Sequence, residues 1–285
     1  MHQALGATLL RALASRRLAA QGAARQRALL AHDERLARAL ASSLEPEDTH
    51  LVVSQTLLPF LWREGVLGGR TFDVLMTRFP LAELHARLDA AAARWPESST
   101  LADFRAPRAL VRAEEDALAA AARVVTPHAA IARLFGDRAV RVPWVLPPGS
   151  RAPRGDRVVF LGPVVGRAGV HLLREAMRGL ELFVRGAELE RGFDWGEVRV
   201  RSLEGDPLAR AAVVVSAAVI EHEPRMLLCA AARGVPVVAT EACGLESVPG
   251  VRTLVEPDAA ALRDAILAAL AHPGLLPARD ARVIA

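Results

Sequence analysis

Residues 221–225 read Glu-His-Glu-Pro-Arg, so two carboxylates, an imidazole and a guanidinium fall within one turn of chain. The apolar run "AAVVVSAAVI" precedes them and the alanine-rich "RMLLCAAARG" follows. A strand that hands over to a helix here sets acids, which accept from hydroxyls, beside the free N–H groups of a first helical turn, which bind anions. Pro224 has the fixed φ of a first helical residue, which puts Glu223 at or beside the N-cap. Arg225 is then a cation in the first turn, where it opposes the helix dipole at a cost of about 0.3–1 kcal/mol unless a negative charge lies near. Two partners remain open for it: Glu221 or Glu223 of the chain itself, or a bound phosphate.

A second candidate is "FLGPVVGRAGVHLLREA", residues 160–176, an apolar strand followed by a glycine turn and a helix. Gly162, Gly166 and Gly169 allow a backbone to approach a ligand closely, and a helix from Val170 points further N–H groups outward. The spacing G-x-x-x-G-x-x-G departs from the G-x-G-x-x-G of dinucleotide sites. Glu188 follows the next strand, either as a ribose-binding acid or as an exposed turn residue.

These residues need a frame. From 157 onward, apolar runs of four to seven residues alternate with helical stretches of about ten: "RVVFLGP", "GVHLLREAMRG", "LELFVRGAE", "EVRVRS", "VVVSAAVI", "PRMLLCAAARG", "VPVVAT", "VRTLVEP" and "AAALRDAILAAL". That alternation predicts a parallel sheet covered on both faces, with ligands beyond the carboxyl ends of its strands. The first half predicts helices near 3–30 and 33–43, short strands within "HLVVSQTLLPFL" and "FDVLMTRFP", a helix through "LAELHARLDAAAARW", another near 107–122, and the strand "AVRVPWVL". The run "PPGSRAPRGD" interrupts every pattern and sets a domain boundary at 147/148. The expectation is an α/β chain of two Rossmann-like domains, 1–147 and 148–285.

Bulk properties narrow the function. The 285 residues, 52% hydrophobic, suffice for two modest domains. All 36 basic residues are arginine, and the net charge of +4 is mild. With no basic run interleaved with aromatics, nucleic acid is not an expected partner. Cys229 and Cys243 form no C-x-x-C, and the scattered histidines form no zinc motif, so no metal is expected. No apolar run spans a membrane and no signal peptide is evident, which points to the cytoplasm. Leu9, Leu10, Leu13 and Leu18 lie among arginines with no acid before Asp33, so the N-terminal helix either touches a membrane surface or packs on its neighbours.

The order of segments over about residues 157–270 resembles the donor-binding half of the GT-B glycosyltransferases that use nucleotide sugars with retention of configuration. Ser216, Glu221, Gly234, Pro236 and Thr240 match that family's motif in order and spacing. The resemblance implies a facing acceptor-side domain, here shortened and lacking the usual opening strand and glycine loop, with "VVTPHAAIARLFG" similar to its last strand and helix. Three positions depart from the pattern. The second Glu of the donor motif falls on Cys229, and the two cations that meet the diphosphate fall on Pro163 and Ala168.

What the resemblance implies is transfer of a sugar from a nucleotide diphosphate sugar to a glycan, lipid or small-molecule acceptor, in a cleft, with no cofactor. Glu221 would hold sugar hydroxyls and His85 would serve the acceptor side, where Arg78 also lies. Gly162, Gly166, Arg167, Ser216, Glu223, Arg225, Met226 and Thr240 would hold the donor, with Arg167 and Arg225 standing in for the missing cations. The alternative is a GT-B-like binding or scaffold protein without turnover.

Overall fold

A computed structural model describes residue 13 and residues 22–103, 105–153 and 155–271. Of the helix expected near 3–30, Leu9, Leu10 and Leu18 lie outside them, while Leu13 and residues 22–30 are described and helical. The chain folds as two compact units: one of residues 22–89, 102–127 and 131–142, the other of residues 90–101, 128–130 and 143–271.

The first unit contains α1 (Gly22–Ala41), β1 (His50–Ser54), α2 (Leu58–Arg63), β2 (Thr71–Leu75), most of α3 (Leu81–Arg94), α4 (Arg108–Ala120), β3 (Arg123–Thr126), most of α5 (Ala129–Phe135) and β4 (Ala139–Arg141). The expected break near residue 31 is absent, because Asp33 is buried within a continuous α1 rather than capping a second helix. "LPFLWR" is helical, started by Pro59 in its first turn, and "AVRVPWVL" yields only three strand residues before Pro143.

Its four strands are parallel and ordered β1-β2-β3-β4. Right-handed crossovers that always add the next strand on the same side put every connecting helix on one face. Burial follows. Val53, Phe72, Val74 and Val124 face the helices and are buried, whereas Val52 and Leu75, on the opposite face, are 61% and 47% exposed. At the middle of that open face Asp73 is paired with Arg123 through two side-chain nitrogens, at 2.6 Å for the shortest contact, and with His50 at 3.5 Å.

The second unit contains β5 (Arg157–Leu161), α6 (Val170–Ala176), β6 (Glu181–Arg185), β7 (Arg199–Ser202), β8 (Ala211–Ser216), α7 (Arg225–Ala232), β9 (Val237–Thr240), β10 (Val251–Leu254) and α8 (Ala259–Ala271). All six strands are parallel, in the order β10-β9-β8-β5-β6-β7. Numbered within the unit this is 3-2-1-4-5-6, the order of dinucleotide-binding sheets, and it reverses between β5 and β8. The reversal covers both faces. Every residue of β8 and β9 is buried, with Leu227, Leu228 and Ala230 of α7 packed on one side of them.

Candidate functional site

At a reversal of strand order, the two flanking crossovers leave the sheet in opposite directions and open a crevice at the strands' carboxyl ends. Here those ends are Leu161 of β5, which leads into the Gly162–Gly169 loop, and Ser216 of β8, which leads through 217–224 into α7. The two segments meet. The Arg167 carbonyl accepts from the amides of Val219 (3.0 Å) and Ile220 (3.4 Å). A Cβ on Gly169, at φ +77°, would stand 1.7 Å from the Ala217 carbonyl oxygen, so only glycine fits.

The acid cluster lies on this turn. Glu221 folds back so that its Oε1 accepts from the amides of His222 (2.8 Å) and Glu223 (3.0 Å). Pro224 is the N-cap of α7 rather than its first residue, and no side chain caps the helix. The Arg225 amide donates to the Glu223 carbonyl at 2.7 Å, while Glu223, Arg225 and Met226 are exposed. Among the described residues neither Glu221 nor Glu223 forms an ion pair with Arg225. The guanidinium therefore stands in the first turn without the carboxylate partner that would offset the dipole.

Ser216 and Thr240 lie beneath the turn. Both are buried; the Thr240 hydroxyl donates to the Ala218 carbonyl at 2.6 Å, and the Ser216 Oγ lies 3.5 Å from the Cys243 sulfur. Burial pushes the Cys243 thiol up to about 12, with the Glu221 and Glu246 carboxylates adding to the rise, so it stays protonated. Cys229 is half-buried and also free. His128 and Trp144 fix the next turn: a His128 ring nitrogen lies 3.0 Å from the Ala242 carbonyl, and the Trp144 indole donates to that of Gly244.

The glycine loop uses its close approaches on the chain itself. Gly162, Val164, Ala168 and Gly169 donate their amides to the carbonyls of Arg185, Ala187, Val165 and Gly166. Gly166 donates to the Glu190 carboxylate at 2.7 Å and to the Thr100 hydroxyl at 2.8 Å. A Cβ on it would meet Leu101 and Ser98 at 2.6 Å. Pro163 has no N–H to offer. Glu188 is exposed, and the buried acid of this region is Glu190, two residues on.

Glu190 is the centre of a cluster that sequence reasoning missed. Its side chain is 1% exposed and accepts from Ser98 at 2.6 Å, Ser99 at 3.5 Å and Thr100. Burial raises its pKa, but the hydrogen bonds from Ser98, Thr100, Gly166 and Ser99 outweigh it and hold the carboxyl below its usual range. Beside it the buried His171 ring is stacked on Trp95 and edged by Phe193. Neither of its nitrogens makes a hydrogen bond; Glu97 lies 3.5 Å from Nδ1 and Glu190 3.7 Å from Nε2. The one sequence signal was the hydroxyl run Ser98-Ser99-Thr100, which reads as an ordinary loop.

Two predicted residues belong to the first unit. His85, on α3, is half-buried, and its Nε2 accepts from the Ala106 amide at 3.1 Å. Burial and the nearby Arg105 lower its pKa, so the ring is neutral at pH 7. Arg78 is held by the buried Glu114 at 2.7 Å, and Glu114 also accepts from the Leu81 amide at the start of α3. Among the described residues no three His, Cys, Asp or Glu side chains are placed to hold a metal ion, and no helix is long and apolar enough to cross a membrane.

No protein-family model and no curated protein matches this sequence. Solved structures do resemble it in fold. A sucrose-phosphate synthase from Thermosynechococcus elongatus aligns over 86% of this chain and 69% of its own, at 16% identity and a TM-score of 0.52. TarM aligns over 85% of this chain but 51% of its own, at 12% identity and a TM-score of 0.54. The GtfA/B complex gives 81% and 53%, at 13% identity and a TM-score of 0.50. The fold is thus of the GT-B type, with two parallel-sheet α/β domains.

Proposed function

We propose that this protein is a glycosyltransferase that takes a sugar from a nucleotide diphosphate sugar, with the donor at the carboxyl ends of β5 and β8. The observation that carries the reading is Arg225, exposed in the first turn of α7 with no carboxylate partner among the described residues, directly after a turn that presents Glu221. A diphosphate would meet this guanidinium and the amides at the start of α7. With Oε1 of Glu221 held by two amides, Oε2 is the oxygen that would accept from sugar hydroxyls. Met226 would line the same place, and Thr240 and Ser216 would support the turn from below. A departing nucleoside diphosphate carries growing negative charge, which Arg225 and Arg167 would stabilise in place of the cations lost at Pro163 and Ala168. His85, neutral and bound through Nε2, would orient an acceptor by donating from Nδ1.

The glycine loop favours a second reading, a GT-B-like protein that binds nucleotide or glycan without turnover. Amides that would meet a diphosphate in a glycine loop are here committed to the chain's own acceptors. One experiment separates the two. Nucleoside diphosphates and their sugars are screened by thermal shift, where a ligand at 100 times its Kd adds ~2.7 kcal/mol, and any binder is assayed for hydrolysis of its sugar. Binding with turnover, both reduced in Arg225→Ala, supports the transferase; binding without turnover supports the second reading. A flat screen rejects both.

A further inference from the structure

We propose that Glu190 is a positioning residue for the candidate donor site, setting the turn that carries Glu221 from inside the second unit. This rests on the reading of that turn as the donor site. A buried carboxylate is costly unless its lone pairs are filled. Glu190 fills them with donors from two separate places: the hydroxyls of Ser98, Ser99 and Thr100, and the amide of Gly166. It therefore clamps the 98–100 segment onto the glycine loop.

The clamp is relayed in two steps. Thr100 also accepts from the Gly166 amide, so Gly166 is held from two sides, and its missing side chain is what lets Ser98 and Leu101 lie against it. Arg167, the next residue, offers its carbonyl to Val219 and Ile220, the two residues before Glu221. Gly169 lies against Ala217 at a distance no side chain would tolerate. A shift of the loop by a few tenths of an ångström must therefore move 217–220 with it. None of Glu190's hydrogen bonds goes to residues 217–226, so it acts on that turn through Gly166 and Arg167.

The test is residue-resolved amide hydrogen exchange on the full chain and on Glu190→Gln, together with UDP, ADP and GDP affinity. Gln keeps the size but turns an NH2 toward donors that need an acceptor. Exchange at Gly166, Val219 and Ile220 should rise at least tenfold, with β9 and α8 unchanged, and the Kd of whichever diphosphate binds should rise about tenfold. Thr100→Val, which keeps shape and leaves the carboxylate, should give a smaller change at the same amides and supplies the answer if Glu190→Gln does not fold. A uniform rise throughout the unit, or none at Val219 and Ile220, overturns the proposal. If the unaltered protein binds none of the three diphosphates, the donor-site reading fails, while the exchange pattern still decides whether Glu190 sets the turn.

Discussion

Both sheets are wholly parallel, yet β8 and β9 are buried at every residue whereas β1 has three of its five residues exposed. The difference follows from winding. The second unit reverses its strand order, so helices fall on both faces and a crevice opens where the reversal occurs. The first adds strands in one direction only, so its helices share a face and no such crevice arises among β1 to β4. One missing reversal thus removes a covering layer from the sheet.

Since the first unit has a single packed face, its stability should hang on the few groups that organise the helical layer. Glu114→Ala tests this most severely. It strands Arg78 and leaves the start of α3 without its acceptor. Breaking a buried pair from one side costs about 3–5 kcal/mol. Denaturant unfolding followed by hydrogen exchange should show the loss in α3, α4 and β2, with β8 and β9 little changed. An equal loss in both sheets would mean that they do not melt as separate units.

A matched pair of leucines measures the two faces directly. Leu182 on β6 is fully buried in the doubly covered sheet, and Leu75 on β2 lies on the open face. Leu182→Ala should cost about 2–5 kcal/mol through lost burial and the cavity left behind. Leu75→Ala should cost under ~1 kcal/mol, because much of that side chain already meets water. A large loss at Leu75 in denaturation curves would show the open face to be covered in solution.

Within the second unit, two glycines of equal φ separate conformation from contact. Gly179→Ala meets open space and should cost only the ~1–2 kcal/mol of a left-handed alanine. Gly169→Ala, with the same backbone angle, must also displace Ala217, which adds about 1–3 kcal/mol of overpacking. Equal midpoints in denaturant for the two variants would show that the glycine loop does not bear on the 217–220 turn.

How much of this could be read from residues alone differs between the units for the same reason. Strands buried on both faces appear as unbroken apolar runs, so "VVVSAAVI" and "PVVAT" located β8 and β9. In the first unit the half-exposed β1 blurs into the helix that follows, and its "LPFLWR" turn of helix carries no period long enough to see. The Glu221–Arg225 turn was legible because charge interrupts an apolar run. Glu190 was not, because its donors lie far upstream in sequence and only the fold brings them together. Contacts also decided which glycines serve the chain: G-x-x-x-G-x-x-G looks the same whether a phosphate or Ala217 lies opposite.

The smallest expected effect is the pH dependence that His171 gives the second unit, of the same sign as the one His85 gives the first. Asp73, a buried acid of the first unit, does not titrate near neutrality, since the Arg123 hydrogen bond and charge hold its carboxyl below the usual range. His171 differs. Burial lowers its pKa, while Glu190 and Glu97 pull it up and Arg174 pushes it further down, with a net fall below 6.5. The unfolded chain then binds this proton more readily than the folded one, so the contribution to stability is complete above pH 6.5 and is lost as pH falls through the folded value. Between pH 7 and 5 the packing of Trp95 on His171 should loosen first, seen as faster exchange at Trp95, Leu101 and Val170 and as a change in Trp95 fluorescence. His171→Phe keeps a ring against Trp95 and removes the proton, so its second unit should be flat over the same range. If that variant retains the slope, the titrating group is elsewhere. A slope of opposite sign would mean that the two carboxylates outweigh burial and that protonation tightens the cluster.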